Sequence, residues 1–137
     1  MPIEILPRWG EPAIRVLMMP RDTNAQGTIF GGVILSYIDQ AGAIEARRQG
    51  CGRMVTVAMD KVAFHEPVQV GDLVSFWTET KRIGTTSITT HVTVQAVHST
   101  DPSTNVTVTE AQVVYVNIDL EGKPVAITRG RADASRV

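Results

Sequence analysis

One long helix pattern, with only strand-like segments after it, is the feature that most constrains this fold. From Ile29 to Gln49 the sequence contains no proline and is rich in Ala and Ile. Two arginines followed by Gly50 are typical of a helix C-terminus, and Thr28 is the predicted N-cap. Since a helix rises about 1.5 Å per residue, the predicted helix is about 30 Å long. No second segment of the sequence has this pattern.

Four later segments are rich in Val, Thr, Ile and aromatic residues and predict β-strands. They span residues 53–64, 72–83, 85–99 and 105–119, and an apolar run before the helix, residues 13–19, predicts a fifth strand. The turn signals between them are Glu66-Pro67, Gly71-Asp72, Gly84 and Asp101-Pro102. Apolar and polar residues alternate along residues 85–99, so one face of that strand is buried. Short turns between successive strands predict an antiparallel sheet.

A single long helix and a long antiparallel sheet leave few ways of building a core. The sheet must curl around the helix, so the predicted class is α+β. The length of 137 residues fits one domain, which we place at residues 13–124. Residues 1–12 contain three prolines and are predicted as a coil arm, and residues 125–137 as a C-terminal tail. Such a wrap leaves sheet edges uncovered and predicts a homo-oligomer in which the sheets pair or pack.

The charge balance and the hydropathy pattern exclude several classes of protein. Lys and Arg number 13 and Asp and Glu 14, so the net charge of −1 argues against nucleic acid as a partner. No apolar run reaches the roughly 18 to 20 residues that cross a bilayer, and the N-terminus lacks the basic and apolar regions of a signal peptide. The single cysteine, Cys51, cannot form an internal disulfide. We therefore expect a soluble, cytoplasmic protein.

Asp39 is the most informative candidate residue, because it stands on a small and uncharged face of the helix. At 100° per residue, its neighbours within about 60° are Gly32, Leu35, Ser36, Gly42, Ala43 and Ala46. The other helix charges, on Glu45, Arg47 and Arg48, lie about 80 to 180° away, so Asp39 alone is expected to meet protein. A carboxylate there either finds a partner on another element or takes part in chemistry. Both interpretations stay open.

Gly31 and Gly32 open the helix, although glycine costs about 1 kcal/mol relative to alanine in a helix. Their unpaired N–H groups and the helix dipole form a site for a carbonyl oxygen that gains negative charge. Close packing of the helix start on the sheet is the alternative. In the preceding loop, Asn24 either orients a water or a substrate carbonyl, or closes the turn by bonding its own backbone.

Other patterns in the sequence are weaker evidence for a functional site. Residues 81–87, K-R-I-G-T-T-S, either hold a phosphorylated ligand or form a plain hairpin. His91 and His98 are seven residues apart on a strand and face opposite ways, and His65 stands alone before a turn, so no metal site is predicted. The sequence has no P-loop and no G-x-S-x-G elbow. Cys51 follows a helix end, where the dipole makes a thiol a poor nucleophile.

A set of motifs resembles one known family. The loop D-T-N-A-x-G at residues 22–27 precedes I-F-G-G at 29–32, then the helix aspartate, then G-R-M-V-T-V at 52–57. Further motifs are F-H-E-P-V-Q-V-G-D at 64–72, G-T-T-S at 84–87 and D-L-E-G-K-P at 119–124. Together they resemble the hotdog-fold acyl-CoA thioesterases, in particular the YciA type and the brain-type cytosolic acyl-CoA hydrolases.

The resemblance implies hydrolysis of acyl-CoA thioesters to free acid and CoA, with no metal and no cofactor. It implies a hotdog fold whose sheet runs on across a homodimer, with hexamers common among the relatives. Asp39 matches the family's helix aspartate, a general base or nucleophile; Asn24 matches its loop asparagine, and Gly31 or Gly32 its oxyanion donor. Many members of the wider fold carry histidine before the glycine pair. This chain has Phe30 there, as the closer subgroup does. The implied CoA-binding residues are Arg53, Thr56, Lys81, Gly84, Thr85, Thr86 and Ser87.

The helix spacing adds a geometric expectation. Asp39 lies seven or eight residues beyond the glycines, a rise of about 10 to 12 Å, which is too far for both to meet one carbon within about 3 Å. We therefore predict a composite site, with Asn24, Gly31 and Gly32 from one subunit and Asp39 from its twofold mate. Two alternatives are a non-catalytic acyl-CoA sensor, which would not need Asn24 and Asp39, and a hotdog hydratase or dehydratase, which usually needs a helix histidine.

Overall fold

The computed structural model describes residues 3–128, in which one α-helix lies against a five-stranded sheet. In chain order the elements are β1 (Ile14–Leu17), a short 3₁₀ turn (Pro20–Asp22), α1 (Gly31–Arg48), β2 (Met54–Phe64), β3 (Leu73–Ile83), β4 (Ser87–His98) and β5 (Asp101–Asn117). All strand neighbours are antiparallel, in the order β1-β3-β4-β5-β2. The predicted α+β class is confirmed.

The helix begins two residues later than predicted, and Thr28 is not its N-cap. The N-cap is Phe30, which makes no side-chain capping bond. Thr28 is instead held by Asn24, whose Oδ1 accepts from the Thr28 amide at 3.1 Å and whose Nδ2 donates to the Thr28 hydroxyl at 2.9 Å. The amide of Ile29 donates to the carbonyl of Val68 at 2.8 Å. Residues 28 and 29 therefore belong to the loop.

β2 and β3 follow one another in the chain but lie apart in the sheet, which the short connection between them did not predict. β2 pairs with β5 at one edge of the sheet, whereas β3 lies between β1 and β4. Residues 65–72 carry the chain from one side to the other past the start of α1. Hydrophobic periodicity shows which face of a strand is buried but not which strand lies beside it, so the order could not be read from the pattern.

Two strand boundaries also differ from the prediction. Asp101-Pro102 lies inside β5 rather than in a turn, because His98 pairs with Asp101 and the chain reverses over residues 99 and 100. Proline is tolerated there because it stands at the very start of the strand. β4 begins at Ser87 rather than at residue 85, because the Gly84 amide donates to the Ser87 carbonyl at 2.8 Å and closes a turn.

The core forms where α1 packs on the inner face of β3, β4 and β5. Its side chains are almost completely buried and include Ile34, Ile38 and Ala41 of the helix and Val74, Phe76, Val92, Val94, Ala111 and Val113 of the sheet. Because the removal of apolar surface from water is the main driving force for folding, this contact fixes the helix against the middle of the sheet.

Glu45 is buried within this contact, with no exposed surface. Its carboxylate accepts hydrogen bonds at 2.6–3.3 Å from Arg48, Gln49, Thr78 and Thr80. The expectation that Asp39 is the only helix charge facing protein is therefore wrong. The angular positions around the helix place Asp39 and Glu45 on different faces. They cannot show that β3 carries two threonine hydroxyls, of Thr78 and Thr80, beside Glu45.

The N-terminal arm lies against the end of the helix. The Leu6 amide donates to Gln49 Oε1 at 2.9 Å, and the Arg48 guanidinium donates to the Pro7 carbonyl at 2.7 Å and lies 5.2 Å from the Trp9 ring. The buried network around Glu45 thus also holds the arm, which contains no helix or strand over residues 3–12.

The beginning of the predicted C-terminal tail bonds to the domain. The Val125 amide donates to the Asn117 carbonyl and the Ile127 amide to the Thr85 carbonyl, each at 2.9 Å. Ile127 is 4% exposed. Residues 125–128 therefore pack beside the β3–β4 turn, and residues 129–137 of the predicted tail lie outside the described residues.

The two edge strands, β1 and β2, each have a neighbour on one side only within the chain. Along β2 the apolar side chains of Val55, Val57, Val62 and Phe64 are exposed. An unpaired edge that carries apolar side chains is a surface on which a second chain can add. Within residues 3–128, no helix is both long enough and apolar enough to span a membrane.

Candidate active site

Asp39 is half-buried and is held from two directions. The Thr56 hydroxyl of β2 donates to Asp39 Oδ1 at 2.8 Å, and the Tyr115 hydroxyl of β5 donates to the Asp39 carbonyl at 2.6 Å. Among residues 3–128, no Lys, Arg or His forms an ion pair with this carboxylate. The partner that the sequence required is thus a neutral hydroxyl, and Oδ2 stays open to a proton or to a bound molecule.

Thr56 and Tyr115 enter the site in ways that the sequence did not indicate. Thr56 was predicted to contact CoA, and the structure gives its hydroxyl a bond to Asp39. Tyr115 is 1% exposed and lies 76 residues from Asp39 in the chain. In the sequence it is only one more apolar position of an alternating strand, and nothing there connects it with Asp39. Burial raises the pKa of Tyr115, and the negative charge of Asp39 raises it further. The hydroxyl therefore stays protonated and acts as a donor.

Gly31 and Gly32 form the first turn of α1, where backbone amides have no acceptor within the helix. Neither amide has an acceptor elsewhere in residues 3–128. A β-carbon added to Gly31 would lie 3.5 Å from the Phe64 ring, and one added to Gly32 would lie 3.4 Å from the Phe30 ring. These are ordinary contact distances, so close packing does not account for the glycine pair.

Two exposed aromatic rings flank these amides. Phe30 is 56% exposed and Phe64 is 54% exposed. Both side chains border the first turn of α1, where the two glycines lie. The site thus combines free amide donors with apolar surface, a combination that suits a carbonyl group attached to a hydrocarbon chain.

Asn24 closes its own loop, as one of the two interpretations predicted. Its Oδ1 accepts from the amides of Gln26 and Thr28, and its Nδ2 donates to the Thr28 hydroxyl. An amide NH₂ has two hydrogens, and these contacts use one of them. Asn24 thus holds the loop before the helix and keeps one donor for a ligand.

The structure places the predicted CoA-binding residues in different surroundings. Gly84, Thr85 and Thr86 form the β3–β4 turn, and Ser87 begins β4. Of these four, Gly84 and Thr85 line a cleft of about 570 Å³, together with Ile3, Arg82, Ile83, Ala126, Ile127 and Thr128. Lys81 does not line this cleft, since its ammonium group bonds to Glu79 at 2.8 Å. A bulge in β3 after Thr80 breaks the alternation and places Arg82 in the cleft instead. Arg53 is exposed, and its backbone carbonyl accepts from the Ile118 amide.

The histidines form pairs with carboxylates. His65 and His91 bond to the two oxygens of Glu110 at 3.0 and 3.2 Å. The sequence suggested that His65 stands alone, but the structure places it beside His91. These two bonds lower the pKa of Glu110. His98 bonds to the buried Asp72 at 2.9 Å. Within residues 3–128, no three His, Cys, Asp or Glu side chains are arranged to hold a metal ion.

Comparison with known proteins identifies the family. The sequence profile of the Thioesterase superfamily matches residues 26–102. The acyl-CoA thioester hydrolase YciA of Salmonella typhimurium is 43% identical over 117 residues, which cover 84% of this chain and 88% of that protein. The chain belongs to the thioesterase superfamily. An uncharacterized acyl-CoA thioester hydrolase of Zymomonas mobilis is 49% identical over 79 residues, which are 58% of this thioesterase and 53% of that relative.

Solved structures give the same result for the fold. A hexameric hotdog fold thioesterase of Campylobacter jejuni is 44% identical, with a TM-score of 0.82, and the match covers 92% of this thioesterase and 96% of that chain. A hexameric broad specificity acyl-coenzyme A thioesterase is 35% identical, also with a TM-score of 0.82, over 93% and 88% of the two chains. The predicted hotdog fold and the predicted family are therefore confirmed.

Proposed function

We propose that this thioesterase hydrolyses acyl-CoA thioesters to free carboxylic acids and CoA. The observation that carries the proposal is the Asp39 carboxylate, which is held at one oxygen by a neutral hydroxyl and is not paired with a cation within residues 3–128. The relatives named as acyl-CoA hydrolases support the choice of substrate. A cytoplasmic location suits a sequence whose single cysteine cannot form an internal disulfide.

Asp39 supplies the base. With Oδ1 fixed by Thr56, Oδ2 accepts a proton from a water molecule as the water oxygen bonds to the thioester carbon. The carbon–sulfur bond then breaks, the acid is released, and the thiolate of CoA leaves or takes up the proton. Direct attack by the Asp39 oxygen, followed by hydrolysis of the resulting anhydride, uses the same placement.

The first turn of α1 supplies the oxyanion site. The amides of Gly31 and Gly32 have no acceptor within the described chain, and the positive end of the helix dipole lies beside them. A thiolate is a weak enough base to leave without prior protonation, so the reaction does not need a histidine at the position of Phe30. The exposed rings of Phe30 and Phe64 offer apolar surface to the acyl chain.

One chain does not bring these groups together. Asp39 is seven or eight residues along α1 from the two glycines, a rise of about 10 to 12 Å. We propose that two chains pair through the exposed apolar edge of β2, so that the sheet runs on from one subunit to the other. Each site then takes Asn24, Gly31 and Gly32 from one subunit and Asp39 from the other. The hexameric relatives support such dimers as units of a larger homo-oligomer.

Mixing two inactive variants tests the composite site. Chains with Asp39→Ala and chains with Asn24→Ala are each expected to lack activity, whereas a heterodimer has one site with neither substitution. In a one-to-one mixture about half of the dimers are heterodimers, so about a quarter of the parental thiol-release rate is expected to return. Asn24 also holds its loop, so the melting temperature of each variant serves as control. Verified heterodimers without activity would exclude a shared site.

The cleft beside the β3–β4 turn is the proposed site for the phosphates of CoA. Arg82→Gln is expected to raise KM for acyl-CoA about ten-fold with little change in kcat, because the arginine only binds substrate. Lys81→Gln is the matched control: it removes an adjacent charge that is already paired with Glu79, so a smaller rise in KM is expected. Steady-state kinetics of the two variants measure both effects, and a larger rise in KM for Lys81→Gln would place the phosphate site at Lys81 and not in the cleft.

A thiol-release assay with short-, medium- and long-chain acyl-CoAs tests the function directly. CoA release that depends on enzyme concentration, from at least one chain length, is expected. If no acyl-CoA releases thiol, the proposed function is wrong.

A further inference from the structure

Tyr115 makes an unusual contact with the helix. Its hydroxyl is buried and donates to the backbone carbonyl of Asp39 at 2.6 Å. In an α-helix the carbonyl of a residue accepts the amide of the residue four positions later, here Ala43. The tyrosine therefore adds a second donor to a carbonyl that the helix has already paired, at the residue proposed as the base.

Gly42 makes this contact possible. A β-carbon at position 42 would overlap the Tyr115 hydroxyl and would lie 2.8 Å from Thr90 Oγ1. Only glycine leaves room for a sheet hydroxyl to reach the helix backbone at this height. The helix thus carries a notch one turn after Asp39, and the Tyr115 hydroxyl fills it.

Tyr115 also lies directly beside the other residue that holds Asp39. Thr56 of β2 and Tyr115 of β5 are register partners across the two strands. One holds the carboxylate and the other the carbonyl of the same residue. Thr56 stands on an exposed edge strand, whereas Tyr115 is rooted in the buried part of the sheet.

We propose that Tyr115 is a positioning residue for thioester hydrolysis: it fixes the helix backbone at Asp39, so that the bond from Thr56 aims the carboxylate. The inference rests on the function proposed above. Its physical basis is that a base misplaced by about 1 Å can lose a large part of its effect on the rate. The hydroxyl acts through Asp39 and does not touch the substrate.

Tyr115→Phe tests the proposal, because it removes one oxygen and keeps the ring. The helix carbonyl keeps its own amide donor, so the variant is expected to fold. We expect kcat to fall about ten-fold with KM within about two-fold of the parent, the pattern of a defect in the chemical step. Thr107→Val is the control: it removes a hydroxyl from the same strand at a position that pairs in register with Gln95, and it should leave kcat unchanged. Gly42→Ala, which displaces the hydroxyl, is a second variant with the same expected loss.

A double substitution separates positioning from general stability. If Tyr115 acts only through Asp39, Tyr115→Phe has no further effect on the residual rate of Asp39→Asn. A kcat for Tyr115→Phe within two-fold of the parent, or a further ten-fold loss in the Asp39→Asn background, would overturn the inference. A parent that hydrolyses acyl-CoA through Asp39 but tolerates Tyr115→Phe refutes this inference alone. A parent that releases no thiol refutes the proposed function.

Discussion

Asp39→Asn is expected to lower kcat for acyl-CoA hydrolysis by about three orders of magnitude, within the range of a lost general base. Asparagine has the same shape, and its amide oxygen can still accept the bond from Thr56. What it loses is the ability to take a proton from water or to attack the thioester. KM should change little, because the loss falls on the chemical step. Steady-state thiol release by the purified variant gives both constants.

The matched control for this prediction is Asp101→Asn. Asp101 is an exposed aspartate at the start of β5, opposite His98, and its Oδ1 accepts hydrogen bonds from Ser103 that an asparagine oxygen can also accept. Its substitution removes the same charge from the same chain, so it should leave kcat at the parental value. If Asp39→Asn retained more than a tenth of the parental kcat at an unchanged melting temperature, Asp39 would be neither base nor nucleophile.

Sequence periodicity was enough to predict the class of fold. The pattern from Ile29 to Gln49 and the alternation along residues 85–99 each report how one element meets the core. They do not report which elements meet each other, so β2 could not be placed beside β5. The helix start was misplaced for a similar reason: Thr28 is a good N-cap by type, but the side chain of Asn24 holds it in the loop.

The candidate site was predicted unevenly. Asp39 could be found from the sequence because its helix neighbours are small and uncharged, so its partner had to come from another element. That partner could not be named, since Thr56 and Tyr115 reach Asp39 across 17 and 76 residues of chain. Arg82 was missed because strict alternation along β3 hides the bulge that turns it into the cleft.

Glu45 shows why a buried carboxylate on the same helix need not be catalytic. Every oxygen of Glu45 is bonded by groups of the protein, whereas Asp39 uses only one of its two oxygens within residues 3–128. A carboxylate whose two oxygens are both hydrogen-bonded cannot take up a proton without losing bonds, so Glu45 serves the fold. The half-buried carboxylate of Asp39, with one oxygen unbonded within residues 3–128, can act on a ligand.

Glu45→Gln is therefore expected to lower the free energy of unfolding by about 3 kcal/mol near neutral pH, because it leaves the guanidinium of Arg48 without its counterion. In addition, the NH₂ group of the new glutamine side chain would face the Thr80 hydroxyl and the Gln49 amide, which are themselves donors in the parent. Chemical denaturation at fixed protein concentration measures the loss. Glu121→Gln, in the exposed turn after β5, removes an equal charge and should change stability by less than about 0.5 kcal/mol.

The loss of stability caused by Glu45→Gln is expected to depend on pH. Burial raises the pKa of Glu45, but the bonds from Arg48, Thr80 and Gln49 outweigh it and hold the pKa below its ordinary value of 4.5. A carboxyl whose pKa is lowered by folding stabilises the protein above the unfolded pKa and loses that contribution as the pH falls through the folded pKa. The difference between parent and Glu45→Gln should therefore be constant above about pH 5.5 and should shrink below 4.5. A difference that stayed the same down to the acid limit of folding would mean that the charge of Glu45 does not stabilise the helix against the sheet.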